Sequence, residues 1–317
     1  MKKNLSTGIF IIILVYYMIH LAGCSTAGSV YETGVSTAKS AYGRVRGGIG
    51  QGEKPLLKKK ILVLPIMDQA GMGEGMVEEV TAKMVNLLNK EGHFIVHKAG
   101  VSMTPMAKKR SAQFGIVIDP DLAQMTEEMG MNILITSILT PFEIHSRIVG
   151  VWPLKKTKRE IEISLVVNVL DITNGTLFLT NLESKKIDLN LDEMEIREGR
   201  VKLDESTLNR ILLPMLEDHA SAVRGVLADQ PWTGRLLSAD KAAIMINAGK
   251  DVGIMEDRVF EVFGEGESIR SVSGKIIYLL GPKIGEIKAT EVMQGYSLAL
   301  PLSGAEFKAG YVIKLKD

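Results

Sequence analysis

The stretch REIEISLVVNVLDITNGTLFLTNLESKKIDL, residues 159–189, constrains the fold more than any other part of this chain. Ile161, Ile163, Leu165, Val167 and Val169 recur at every second position, and Glu160, Glu162, Ser164 and Asn168 occupy the positions between them. Successive side chains of a strand point to opposite faces, so this period of two predicts a strand with one buried face. Asn174-Gly175 is the dipeptide best suited to a two-residue hairpin turn, and Leu177 and Leu179 begin the return strand. A hairpin this long leaves its apolar face in water unless helices or a second layer cover it.

The flanking sequence supplies that cover. KKKILVLPIMD, from Lys58, is a compact apolar run and reads as a buried strand, with Lys58-Lys59-Lys60 as its solvated edge. Val77, Val80, Met84, Leu87 and Leu88 lie on one face of a helix that should end at Gly92. HFIVH is a short second strand. DPDLAQMTEEMG opens with capping acids and Pro120 and ends at Gly130, which predicts a helix, and MNILITSILT is a third strand. After the hairpin, Leu208, Ile211, Leu212, Met215, Leu216, Val223, Val226 and Leu227 keep helical spacing, and Pro214 should kink that helix or split it in two. Strand–helix–strand–helix–strand implies a partly parallel sheet covered by helices. ILVLPI with its helix, MGMNILITSIL and VVNVLDITNGTLF together resemble the TolB amino-terminal-like domain over roughly residues 58–228. That domain also appears in curli secretion lipoproteins and in a lipoprotein activator of peptidoglycan synthase.

Beyond Trp232 the strands shorten and glycines space them: TGRLLSAD, KAAIMINAGKDVGIMEDRVFEVFG, SGKIIYLLG, IGEIKATEVMQGYSLALPL and GYVIKLK. This texture predicts a small barrel or sandwich. IMINAGKDVGIMEDRVFEVF followed by IGEIKATEVMQGYSLA resembles the carboxy-terminal domain of flagellar assembly proteins of the T-ring and H-ring type, with Glu256 standing where that family usually has Gly. The expected fold is therefore α/β (an α+β mixed sheet with flanking helices) over residues 58–230, then a small all-β barrel-like domain over 231–317.

The start of the chain carries a different signal. Lys2 and Lys3 precede the apolar run IFIIILVYYMI, which is shorter than the roughly 20 residues of a membrane-spanning helix and fits the apolar core of an export signal. Leu21-Ala22-Gly23-Cys24 follows and resembles the lipobox of bacterial lipoproteins, matching at all four positions. The resemblance implies cleavage after residue 23, acylation of Cys24 and attachment to a membrane by lipid, because two or more acyl chains anchor a protein stably. Cys24 is the one cysteine of the chain, so an internal disulfide is impossible. Ser25 stands where an Asp would retain a Gram-negative lipoprotein at the inner membrane, which implies sorting to the outer membrane. Residues 24–57 are rich in Ser, Gly, Ala and Thr and read as a tether, with a short amphipathic helix through Tyr31, Val35, Ala38, Tyr42 and Val45 as an equal alternative. Loss of residues 1–23 removes Lys2 and Lys3 and no acid, which turns the formal charge of +1 into −1. A balance of this kind speaks against a nucleic-acid partner.

No catalytic constellation emerges, and no cofactor or metal is expected. QAGMGEGM, residues 69–76, sits where a dinucleotide fingerprint would, but Met76 occupies the third glycine position and no Lys-Ser/Thr pair makes a phosphate loop. His93 and His97 lack Cys or carboxylate companions at ligand spacing, His145 and His219 stand alone, and Asp119 and Asp121 are explained by helix capping. Glu193, Glu195 and Glu198 read as a solvated acidic connector, and the methionines as core filler. RIVGVWPLKK, residues 147–156, is more informative. Val151, Trp152 and Leu154 are candidates for a partner contact, with packing of Trp152 on its own domain weighed equally. Trp232, between the two folded parts, reads as structural.

The expected function is a non-enzymatic outer-membrane lipoprotein facing the periplasm. It would serve as a scaffold or assembly factor of an envelope machine such as a flagellar basal-body ring, as a homo-oligomer or ring component among other envelope proteins. The alternatives are a curli-channel-like secretion lipoprotein, for which no convincing second long hairpin is found, and an activator of a peptidoglycan synthase.

Overall fold

The computed structural model describes residues 57–90, 92–100, 120–173, 176–188, 194–197, 200–203, 205–240, 243–270, 276–304 and 306–316. Residues 55–317 belong to one compact unit. Its first part is a seven-stranded mixed sheet. β1 (Lys59–Val63) lies in the middle, parallel to β3 (Phe94–Lys98) on one side and to β4 (Ile133–Leu139) on the other. The two-residue β2 (Met67–Asp68) adds to the end of β4. β6 (Lys156–Asp171) runs antiparallel to β4 and then to β5 (Glu143–Val149) along one edge, and to β7 (Leu177–Asp188) along the other.

Among the described residues three helices pack on this sheet or beside it: α1 (Glu74–Asn89), α2 (Pro120–Glu128) and α3 (Glu205–Ala228). The strand period of two divides the apolar residues between two cores. Ile61, Val63, Ile133, Ile135, Ile163, Leu165, Val167 and Val169 meet Val80, Met84 and Leu88 of α1 and Leu212, Met215, Leu216 and Val223 of α3. Leu62, Leu64, Leu134, Leu170 and Ile172 point the other way, into a smaller cluster with Leu122 of α2. Burial on both faces is why ILVL reads as an unbroken apolar run, and ILITSIL as a run broken at Thr136 and Ser137, rather than as alternations.

The expected lysine edge is corrected here. β1 is a central strand, so its lysines have protein partners: Lys59 Nζ donates to Leu227 O at 2.6 Å near the end of α3, and Lys60 pairs with Asp251 at 2.9 Å. Burial pushes the Lys59 ammonium below its ordinary pKa. The split expected at Pro214 does not occur, because α3 is a single helix of 24 residues. Pro214 faces outward, and the buried pairs Ile211–Leu212 and Met215–Leu216 on either side hold the helix to the sheet. The stretch read as an acidic connector contains a two-stranded ribbon, β8 (Met194–Arg197) with β9 (Arg200–Leu203); Glu193 and Glu198 lie outside the described residues.

The second part is a closed antiparallel barrel in the order β10 (Thr233–Ala239), β11 (Ile244–Ile246), β14 (Ser297–Gly304), β13 (Ile276–Val292), β12 (Val259–Arg270) and β15 (Val312–Leu315). Leu236, Ile246, Phe260, Val262, Ile287, Ala289 and Ile313 fill it. Gly249 permits a close chain crossing, since a Cβ there would lie 2.2 Å from Met293 O. The two parts are stitched together. Leu57, ahead of β1, is buried in the barrel core, and Lys58 N donates to Val252 O at 2.9 Å. Trp232 packs its ring against Phe260, with centroids 5.8 Å apart, and donates to Lys58 O at 3.2 Å. Arg235 of β10 reaches back to Thr173 O at 2.9 Å and to Glu127 at 3.0 Å.

Candidate functional site

β5 and β6 run on past the end of β7. The register of β7 stops at Asp188 opposite Glu160, whereas β5 continues to Val149 opposite Lys156. The last turn of chain is therefore a two-stranded projection, capped by residues 150–155. Gly150 sits at φ 96°, and a Cβ on it would meet Leu154 O at 2.6 Å, so this tight closure requires glycine. Leu154 N donates to Val151 O at 2.7 Å across the turn.

This tip is where the structure places the sequence candidates. Trp152 is 82% exposed, Val151 76% and Leu154 73%, joined by Ile148 of β5 at 71%; among the described residues the next large apolar side chain is Leu182 at 57%. Packing of Trp152 on its own domain, the alternative weighed from the sequence, does not occur. Isolated exposed apolar residues are ordinary on a protein surface, but four within seven positions at a tip form a patch that calls for a covering surface.

Below the tip, the polar face of the projection is bound by charge. Arg147 pairs with Glu160 and lies 3.7 Å from Asp188; Lys158 reaches Asp188 at 3.0 Å. The hydrogen bond from Lys158 holds the Asp188 carboxyl below its usual range. His145, expected to stand alone, faces Glu162 at 3.1 Å and Glu143 at 3.6 Å. Their ligand atoms lie within 4.8 Å of one another, the spacing of a possible metal set, but Lys186 also approaches Glu162 at 3.4 Å and supplies a competing cation. Glu143-x-His145 opposite Glu160-x-Glu162 is the period-two signal that could have revealed the cluster, once the two strands were known to pair. Lys155, Lys156 and Arg159 are exposed and form no ion pair among the described residues.

The other sequence candidates lie elsewhere. In the glycine loop before α1, the amides of Gly71 and Gly73 donate to the two carboxylate oxygens of Asp68 at 2.7 and 3.0 Å, so a carboxylate of the chain itself fills the amide cradle. His93 and His97 are both exposed and belong to no metal-compatible group among the described residues. Cys24, the lipobox Leu21, Ala22 and Gly23, the tether up to residue 56, Asp119 and the Asn174-Gly175 turn lie outside the described residues; Leu57, expected as the end of the tether, is buried in the barrel core. His219 is fully buried under the sheet, its Nδ1 3.0 Å from Asn181 Nδ2, and burial lowers its pKa. Asn168, read as facing outward, is buried, and Thr180 Oγ1 donates to its Oδ1 at 2.8 Å. No helix among the described residues is long and apolar enough to cross a membrane.

No family model matches the chain, and no curated protein matches it. Solved structures with local similarity include lipoprotein GNA1162 from Neisseria meningitidis, at 16% identity over 54% of this chain and 99% of that one, with a TM-score of 0.29. The LpoB C-terminal domain from Salmonella enterica matches at 13% identity over 42% of this chain and 86% of that one, TM-score 0.25. TolB from Acinetobacter baumannii matches at 10% identity over 78% of this chain and 60% of that one, TM-score 0.28.

Proposed function

We propose that this chain is a non-enzymatic lipoprotein that is anchored through Cys24, faces the periplasm from the outer membrane, and holds an envelope assembly together by contact. The observation that carries the contact role is the β5–β6 tip, where four neighbouring apolar side chains are more exposed than any other large apolar side chain among the described residues. The lipobox supports the anchor. The tight junction between sheet and barrel suits a rigid scaffold, because Leu57, Trp232 and Arg235 bridge the two parts. A flagellar basal-body ring is the machine that the wording of the barrel favours.

Two measurements test this. Labelled palmitate should enter the wild-type chain and not Cys24→Ala, which should leave the envelope fraction; equal fractionation of the two would reject the anchor. Gene deletion followed by imaging of basal bodies should give defective rings, and intact rings with normal motility would remove the flagellar assignment.

β12 and β13 continue beyond the barrel, where residues 264–270 and 276–284 pair only with each other, so a second long hairpin exists after all. Its β12 half reads GEGESIR, however, and offers no alternating apolar face of the kind a bilayer-crossing strand needs. Silence in planar-bilayer conductance is the expected result.

A further inference from the structure

We infer that the β5–β6 tip docks on the surface of an anionic phospholipid bilayer, with Trp152 at headgroup level and Ile148, Val151 and Leu154 dipping beside it. The inference rests on the reading of the tip as a contact surface and assigns that contact to lipid, so that the scaffold is held to a bilayer at its tip as well as through Cys24.

Shape supplies the first argument. A stable protein–protein contact buries about 1,200 Å² or more, spread over a complementary face. The tip is a narrow convex end whose four apolar side chains present on the order of several hundred Å², given the roughly 150–250 Å² of a large aromatic. That area suits insertion into a deformable surface better than docking on a rigid one.

Charge supplies the second. From Arg147 to Arg159 the chain contains Arg147, Lys155, Lys156, Lys158 and Arg159 and not one acid. Arg147 and Lys158 are held by Glu160 and Asp188 at the root of the projection. Lys155, Lys156 and Arg159 remain exposed around the tip without an ion pair among the described residues. A Trp with aliphatic neighbours inside a basic collar matches a bilayer edge, where aromatic rings sit among headgroups and each nearby Lys or Arg is drawn to anionic lipid. Charge also argues against a second copy of the chain as the occupant, since two tips meeting would press like collars together.

The test uses the full chain, purified with its acyl anchor and reconstituted in two kinds of vesicle: phosphatidylcholine alone, and phosphatidylcholine with phosphatidylglycerol. The anchor holds the protein to both, so only the tip distinguishes them. With brominated acyl chains, Trp152 emission should fall about twofold in the phosphatidylglycerol vesicles and stay unquenched in phosphatidylcholine. Trp232, buried against Phe260, serves as an internal reference. Trp152→Phe should abolish the quenched component, and Lys155→Glu with Lys156→Glu should reduce it at least fivefold; circular dichroism confirms that these surface variants fold. Emission of Trp152 that is unquenched in both vesicles overturns the inference. So does a photoreactive label on Trp152→Cys (the one free thiol once Cys24 is acylated) that crosslinks only to protein in cells. Failure of the proposed function shows separately: absent palmitate labelling of the wild-type chain removes the anchor, and intact basal bodies in the deletion strain remove the flagellar assembly role.

Discussion

The two ends of β6 differ more than many pairs of separate strands. From Leu165 to Asp171 every residue is buried, because α1 and α3 cover one face of the sheet and the cluster around Leu122 covers the other. From Lys156 to Arg159 every residue is exposed, and the strand has only β5 for company. At the buried end each side chain is explained by folding: apolar atoms fill two cores, and the single amide, Asn168, is satisfied by Thr180. At the free end folding explains the charged web but not Val151, Trp152 and Leu154. Apolar residues that the fold does not use point to something outside the fold, which is why the proposed contact is assigned to the tip and not to the larger core.

This contrast can be broken at either end. The largest effect belongs to Ile163→Ala, which empties space between sheet and helices; it should cost about 2–5 kcal/mol in urea unfolding. A smaller cost than Trp152→Ala would refute the division between the two ends. Next comes Thr180→Val, which leaves the buried Asn168 oxygen without that donor and should cost about 1–3 kcal/mol.

His219 adds a pH dependence confined to the buried end. Burial lowers its pKa in the folded chain, with Asn181, Glu183, Asp218 and Lys185 around it, so the unfolded chain takes up the proton first. Stability from this group is complete above the ordinary value of 6.5 and falls as pH drops through it, by about 1.4 kcal/mol for each unit of separation. A His219→Gln chain should lose less stability than the wild type between pH 7.5 and 5; parallel curves for the two chains would remove the assignment. The smallest effect is that of Trp152→Ala on folding, about 0.5 kcal/mol or less by the same urea measurement, because the ring touches little of its own domain.

Much of this was legible beforehand. The period of two in residues 160–169 located the β6–β7 pair, the helical spacing of Leu208 to Leu227 located α3, and the glycine-spaced strands after Trp232 anticipated a barrel. The failures share one cause: local pattern does not say which edges of a strand are paired. Lys58–Lys60 looked solvated because a lysine run usually is, yet β1 became a central strand and its lysines acquired a helix terminus and Asp251. Asn168 looked outward because alternation assigned it there, yet the sheet is covered on both faces at that level. Residues 265–270 fall outside the strands expected after Trp232, and they form one because β13 lies beside them.

The tip shows the same division on a smaller scale. Its composition, a Trp among aliphatic residues with a basic surround, is written in residues 147–159. Whether Trp152 turns inward or outward depended on how far β5 and β6 outrun β7, which is a matter of register between segments distant in the chain. Residue order alone carried the periodicities, the turn and cap residues, the single cysteine and the near-neutral charge, since each follows from neighbours a few positions apart. Strand order, the second covered face, the stitching of Leu57 into the barrel and the exposure of the tip were decided by tertiary structure, because burial is a property of what packs against a residue and not of the residue itself.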